Sequence, residues 1–270
     1  KVYQEIVIKN QRRALVSKIA IYPSLEDKVV LITGGASGIG ESIVKKFMQQ
    51  GSKVVFIDKE QRLGNDLVKK LDKFKYKALF KKCDLIDISY LKKTIKEIRK
   101  EIGKFSILIN NAANDTRHDI DSVTPEYWDK RLHVNLRHYF FTIQTIYKDM
   151  KDLGGGSIVN LGSFSWMKGT PGMPGYTTAK SAIAGLTKTF ARELGQYNIR
   201  VNCVAPGLIT TERQKKIWIT PKIKKETLEK QCIKRLLVPE DISKAVLFFA
   251  SDESSGCTAQ NYIVDGGTVT

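Results

Sequence analysis

The sequence predicts a single-domain α/β fold, a doubly wound sheet of seven parallel strands with helices on both faces. Three observations predict it. Short apolar runs alternate with longer amphipathic segments along all but the start of the 270 residues. The links between runs mostly lack hairpin signals, so each strand is followed by a crossover to a parallel neighbour. With 42% hydrophobic residues the chain can bury a full core, at the upper end of length for one undivided unit. Strands are predicted at 28–33, 53–57, 77–83, 105–110, 156–161, 199–204 and 260–264, with the longest helices near 124–150 and 175–195.

The first run, Lys28-Val29-Val30-Leu31-Ile32, is continuously apolar after its opening lysine, as a strand buried on both faces must be. It enters Thr33-Gly34-Gly35-Ala36-Ser37-Gly38-Ile39-Gly40. A buried strand, a glycine-rich turn and then a helix form the dinucleotide-binding arrangement of a Rossmann-type sheet. Gly34 permits the tight turn, Gly38 lets backbone approach a pyrophosphate, and Gly40 lets the helix pack on the sheet. The helix N-terminus, with Ser37 and Ile39, offers free N–H groups and a positive dipole end. The second strand ends in Asp58, eighteen residues past Gly40. A carboxylate there accepts from ribose hydroxyls and repels a 2′-phosphate, which favours NAD over NADP. Lys59 works against that preference.

The third strand runs into Cys83-Asp84-Leu85, and the helix over Leu91–Lys100 sets an apolar stripe opposite a lysine-rich solvated face. The fourth strand leads to Asn110-Asn111-Ala112-Ala113, the fifth to Ser163, and the sixth to Pro206-Gly207. On the helix at 175–195, Tyr176 and Lys180 are four apart and share a face. An ammonium beside a phenol favours phenolate and lowers the Tyr pKa, giving a group that exchanges a proton with a carbinol or carbonyl oxygen. Ser163, thirteen residues upstream, can hold that same oxygen. Taken alone, the Tyr–Lys spacing also fits an ordinary amphipathic helix.

Together, the Thr-Gly-x-x-x-Gly-x-Gly turn, Asn110-Asn111-Ala112-Ala113, Asn135, Ser163, Tyr176, Lys180 and Pro206-Gly207 resemble the short-chain dehydrogenase/reductase family from about Lys28 onward. The resemblance implies hydride transfer between nicotinamide C4 and the carbon bearing the reacting oxygen. Tyr176 would be general base in oxidation and acid in reduction, and Ser163 would stabilise the substrate oxygen. Lys180 would lower the Tyr pKa and bind the nicotinamide ribose. Asn135 would hold a water of the proton relay, where a helix-bending polar residue is the plainer alternative. Asp84 and Leu85 would meet the adenine, Asn110 and Asn111 the length of the cofactor, and Pro206, Gly207, Ile209 and Thr211 the carboxamide. The family usually has glycine where this chain has Ala113, and the added Cβ is expected to tune cofactor affinity by crowding. A homotetramer built through the two long helices and the last strand is also implied.

A narrower resemblance, to the bacterial D-xylose 1-dehydrogenases within that family, rests on several segments. They are Ala20-Ile21-Tyr22-Pro23-Ser24-Leu25, Asn114-Asp115-x-Arg117-His118, Tyr127-Trp128-Asp129-x-Arg131, Val134-Asn135-Leu136-Arg137-His138 and Gly162-Ser163-x-Ser165-Trp166. Arg213-Gln214-x-Lys216, Thr220-Pro221 and Gln231-Cys232 continue it. The implied reaction is NAD-dependent oxidation of an aldose at C1, a pentose such as D-xylose or L-arabinose, to the lactone. Asn114, Arg117, Ser165 and Trp166, with Asp115 and Gln231, are the substrate candidates, because a sugar needs many hydrogen-bond partners and an apolar surface. Trp166 as a loop-packing side chain and Arg117 as a surface charge fit equally well. A 3-oxoacyl thioester reductase or polyol dehydrogenase would share the catalytic motifs, and a dinucleotide-bound scaffold or nucleic-acid binder would use the basic surface instead.

Composition narrows the classes further. No stretch approaches the roughly 20 apolar residues of a membrane span. Cys83, Cys203, Cys232 and Cys257 fit neither a disulfide framework nor a zinc knuckle, and His118, His133 and His138 lack metal-ligand spacing. Reduced thiols and no secretory signal point to the cytoplasm. The net charge of +17 comes mainly from dispersed lysines, without the clustered arginines and aromatics of a nucleic-acid surface. Residues 1–24 read as a flexible extension, and 25–270 as one dinucleotide-binding domain that includes the substrate pocket.

Overall fold

A computed structural model describes residues 20–269. Seven strands form one sheet: β1 (Val29–Thr33), β2 (Lys53–Asp58), β3 (Leu79–Lys82), β4 (Ile107–Asn110), β5 (Gly156–Leu161), β6 (Ile199–Pro206) and β7 (Asn261–Val264). Their order is β3-β2-β1-β4-β5-β6-β7, and every pairing is parallel. The predicted doubly wound sheet is thus the observed one.

The helices follow the strands: α1 (Gly38–Gln49), α2 (Gln61–Lys70), α3 (Ile88–Ile102), α4 (Pro125–Leu132), α5 (His138–Asp152), α6 (Pro174–Leu194), α7 (Glu212–Ile217), α8 (Pro221–Lys230) and α9 (Pro239–Ala250). The helix predicted near 124–150 is interrupted. A π-helical turn at His133–Arg137 joins α4 to α5. Alternation along the strands splits the core into two layers. Val30, Ile32 and Phe56 pack with Phe47 and Val246 on one face, and Leu31, Val55 and Leu108 pack with Ile95 and Ile146 on the other.

The chain reverses its winding between β1 and β4, and the crevice outside the carboxyl ends of these strands is where ligands bind in open α/β sheets. Thr33, Asn110, Leu161 and Pro206 all end strands at that edge. No described helix is long and apolar enough to cross a membrane. Of the predicted extension, residues 1–19 lie outside the described residues. Residues 20–24 lie against the domain: Tyr22 N–H donates to Gln50 Oε1 (2.8 Å) and Gln50 Nε2 donates to the Ala20 carbonyl (3.0 Å).

Candidate active site

A cleft of about 1430 Å³ opens at the carboxyl edge of the sheet, from the glycine turn to the loops after β4, β5 and β6. It exceeds the roughly 300–1,000 Å³ of ordinary small-molecule pockets and has room for a dinucleotide beside a second reactant. At its floor, Gly34 holds φ +66°, and a Cβ there would lie 2.7 Å from Ala112 Cα. A Cβ on Gly40 would lie 1.9 Å from the Gly34 carbonyl oxygen. Asn111 Nδ2 donates to the Thr33 and Gly34 carbonyls (3.0 and 2.9 Å), while Thr33 Oγ1 accepts from the Asn111 and Ala112 amides (2.9 and 3.1 Å). Ser37 caps α1 without a side-chain hydrogen bond. The turn is therefore held from behind, and the first N–H groups of the helix remain for an anion.

Asp58 has two duties. Its Oδ2 accepts from the Ala36 amide (3.0 Å) and its Oδ1 from the Glu60 amide (3.1 Å), each oxygen keeping lone-pair capacity toward the cleft. Asp84 is exposed, and Leu85, 7% exposed, lines the cleft beside it. Ala113 is exposed in the cleft wall. In the same loop Ala112 makes a tight approach to Gly34. Pro206, Gly207, Ile209 and Thr211 line the far wall. The Thr211 side chain caps α7 by accepting from the Gln214 amide (3.2 Å), and its Cγ2 would be 3.2 Å from a Cβ on Gly38.

Ser163, Tyr176 and Lys180 meet in one wall of the cleft. Ser163 Oγ donates to Ser165 Oγ (2.9 Å) and accepts from the Ser165 amide (3.1 Å). Tyr176 is half-buried at the start of α6. Its pKa corrects the prediction: burial holds the phenol above its ordinary value and Asp115 adds to this, outweighing the opposing Ser163 hydroxyl and Arg213. The Lys180 amine lies 5.6 Å from the Tyr176 ring centroid and makes its hydrogen bonds to other groups. It donates to the Leu161 carbonyl (2.7 Å) and the Tyr139 hydroxyl (3.0 Å), and burial pushes it down to about 7.

The Asn135 side chain is engaged within the protein. It is fully buried in the π-turn, where Oδ1 accepts from the Asn114 amide (2.7 Å) and Nδ2 donates to the Asn114 and Arg131 carbonyls (3.1 and 3.0 Å). Its amide is spent on fixing the loop after β4. Replacing Asn135 with alanine is expected to cost about 1–3 kcal/mol, since buried partners lose their hydrogen bonds. A thermal melt of that variant with unchanged Tm would remove this role.

A clasp joins two distant segments at the cleft. Asp115 accepts from Arg213, and Asp115 Oδ2 accepts from Gln214 Nε2 (2.5 Å). Beside it the Arg117 guanidinium stacks on Trp218, 4.5 Å from the ring. Asn114, Arg117 and Ser165 lie in the cleft wall. Trp166 and Gln231 do not. Phe164 takes the place expected of Trp166, and Gln231, 2% exposed, packs under the Gly266 turn and donates to the Arg235 carbonyl (3.4 Å). Gln214, Phe164, Tyr139 and His138 were missed. His138, which burial pushes down to about 3 and so keeps neutral, bonds the Ala112 carbonyl through Nε2 (3.1 Å).

A doubly wound sheet with a glycine turn at its switch point and Ser163, Tyr176 and Lys180 at the adjoining edge defines an oxidoreductase acting on CH–OH groups. The sequence model for enoyl-(acyl carrier protein) reductase matches residues 34–269. This chain belongs to the short-chain dehydrogenase/reductase family. A D-xylose 1-dehydrogenase of Caulobacter vibrioides is 44% identical over 92% of this chain and 98% of its own. A protein of Rhizobium meliloti named probable galactose dehydrogenase is 43% identical over 91% of this chain and 96% of its own. Among solved structures, a 7α-hydroxysteroid dehydrogenase complexed with NADH and 7-oxo glycochenodeoxycholic acid superposes with a TM-score of 0.87. That likeness has 30% identity and covers 92% of this chain and 97% of the other.

Proposed function

We propose that the protein oxidises an aldose, with a pentose such as D-xylose or L-arabinose as first choice, at C1 to the lactone with NAD. The observation that carries this reading is the cleft itself. Tyr176 and Ser163 share it with the Asp115–Arg213–Gln214 clasp, Asn114, Arg117 and Phe164, which supply the polar contacts and the apolar face that a sugar ring requires. The names of the two sugar-dehydrogenase relatives support the same substrate class.

The residues present fit a dinucleotide. The Gly34–Gly40 turn would hold its pyrophosphate, Asp58 the adenosine ribose, Asp84 and Leu85 the adenine, and Lys180 the nicotinamide ribose. Ile209 and Thr211 would meet the carboxamide. Bound there, the dinucleotide would supply the hydride acceptor for C1. Tyr176 takes the C1 hydroxyl proton as general base, and the Ser163 hydroxyl donates to the same oxygen and stabilises its developing charge. Asn135 keeps Asn114 and its loop in register and is a positioning residue.

NAD is favoured over NADP by the free lone pairs of Asp58. Two cations at that end of the cleft are partnered, Lys45 with Glu41 (2.5 Å) and Arg62 with Asp66 (3.6 Å), leaving less charge for a 2′-phosphate. Replacing Asp58 with alanine is expected to lower the NAD/NADP ratio of kcat/KM by about tenfold, the weight of a charged hydrogen bond. An unchanged ratio removes the assigned role. The exposed Phe140 on α5 and Tyr262 on β7 support a homotetramer, and the unpaired cysteines support the cytoplasm.

The deciding experiment follows NADH absorbance with aldoses, polyols and 3-hydroxyacyl thioesters, each with NAD and NADP. Turnover of D-xylose, L-arabinose or a close aldose with NAD is the expected result. Turnover of thioesters or polyols alone would discard the sugar assignment.

A further inference from the structure

Tyr139 heads the fully buried side chains by volume, yet it carries a polar atom. A phenol in the core costs stability unless it is hydrogen-bonded, and an apolar side chain would fill the space without that cost. Here the hydroxyl donates to the Leu161 carbonyl (3.0 Å) and accepts from Lys180 Nζ (3.0 Å). Lys180 Nζ donates to the same carbonyl (2.7 Å), so the carbonyl would stay bonded without Tyr139. What the phenol alone supplies is a second acceptor for the amine. The amine lies 5.2 Å from the Tyr139 ring centroid and 5.6 Å from that of Tyr176.

We propose that Tyr139 is a positioning residue for Lys180: its hydroxyl, anchored on the Leu161 carbonyl, pins the amine beside Tyr176 and favours the ammonium form. The consequence for turnover rests on the reading of Tyr176 and Lys180 as the proton-transfer pair. The titratable groups around the amine are Tyr176 on α6, neutral His138 on α5, Cys203 on β6 and Asp115 across the cleft. Burial already brings Lys180 to about 7, so near neutrality a single hydrogen-bond acceptor decides how much of it is charged.

Losing one proton from the ammonium–phenol pair gives either phenolate beside ammonium or phenol beside neutral amine, and only the first is a base for C1–OH. Removing an acceptor from the ammonium leaves the step to the first form unchanged, because both states contain the ammonium. It favours the second form alone. Turnover on the acid limb of the pH profile therefore stays the same, the plateau falls, and the break moves to lower pH by the same factor.

The test is Tyr139→Phe, which removes only the hydroxyl. Carbon-13 NMR of Cε-labelled lysine in the full chain, with the Lys180 signal identified by its loss in Lys180→Met, should show the midpoint falling by about one pH unit. The kcat profile for aldose oxidation should show coincident acid limbs and a plateau about tenfold lower. Tyr139→Met, which packs differently but also lacks the hydroxyl, should shift the midpoint alike. An unchanged midpoint in both variants overturns the proposal. A shifted midpoint with an unchanged kcat profile upholds the positioning and sinks the proton-transfer reading of Lys180 instead.

Discussion

Replacing Tyr176 with phenylalanine is expected to lower turnover by at least about 10²-fold, the usual span of a lost general base, while NAD binding changes little. The ring stays in the wall of the cleft and only the proton acceptor goes. Burial and Asp115 hold the phenol above its ordinary pKa, so the protonated phenol is the resting form near neutrality. The sign for pH follows. A base that must lose its own proton first works better as pH rises, so wild-type kcat for oxidation should rise with pH up to the plateau that the Lys180–Tyr176 pair reaches near neutrality. In the reverse direction the protonated phenol is already the form required, and reduction should be less dependent on alkali. Near-wild-type turnover by the phenylalanine variant, or an oxidation rate that falls as pH rises, would remove Tyr176 as the base.

The second large effect is expected at Gly40. An alanine Cβ would lie 1.9 Å from the Gly34 carbonyl oxygen and 2.7 Å from Asn111 Nδ2. The first of these is backbone, so the turn itself must move. Gly34 cannot retreat freely, because its amide donates to the Ile57 carbonyl (2.8 Å) and its own Cα faces Ala112. Overpacking of this kind costs about 1–3 kcal/mol and here falls on the loop meant to receive the pyrophosphate. Gly40→Ala is expected to lower the Tm and to abolish measurable NAD binding by calorimetry. Retention of wild-type affinity would show that the turn is not the phosphate site.

The strands and the glycine turn were legible because each is a local pattern. Val29–Ile32 is an unbroken apolar run, and the turn announces itself by four glycines within seven residues. Tyr176 and Lys180 were legible as a pair on one helix face, but the direction of the Tyr176 pKa was not. Helical spacing gives proximity, whereas the shift depends on burial and on where the lysine points, and Lys180 points at Leu161 and Tyr139. The clasp was out of reach for a different reason. Asp115 and Arg213 are 98 residues apart and meet because β4 and β6 end at the same edge of the sheet. Trp166 was named from the resemblance and the apolar surface that a sugar needs, yet the turn after β5 presents Phe164 to the cleft. Tyr139 resembled any core aromatic on an amphipathic helix, and nothing local distinguishes it.

Asp58 constrains how this protein could change its cofactor over generations. The carboxylate expected to reject a 2′-phosphate also ties down the Ala36 amide inside the glycine turn and the Glu60 amide beyond the strand. A lineage that loses the negative charge by one substitution loosens the loop that any dinucleotide needs. Its first step toward NADP therefore lowers efficiency with both cofactors. Asparagine at the same position keeps only one of those two amide contacts, because its single carbonyl oxygen is the one acceptor left, so an adaptive route has to supply a second acceptor from elsewhere and only then recruit Lys59. The order of mutations is written into two hydrogen bonds.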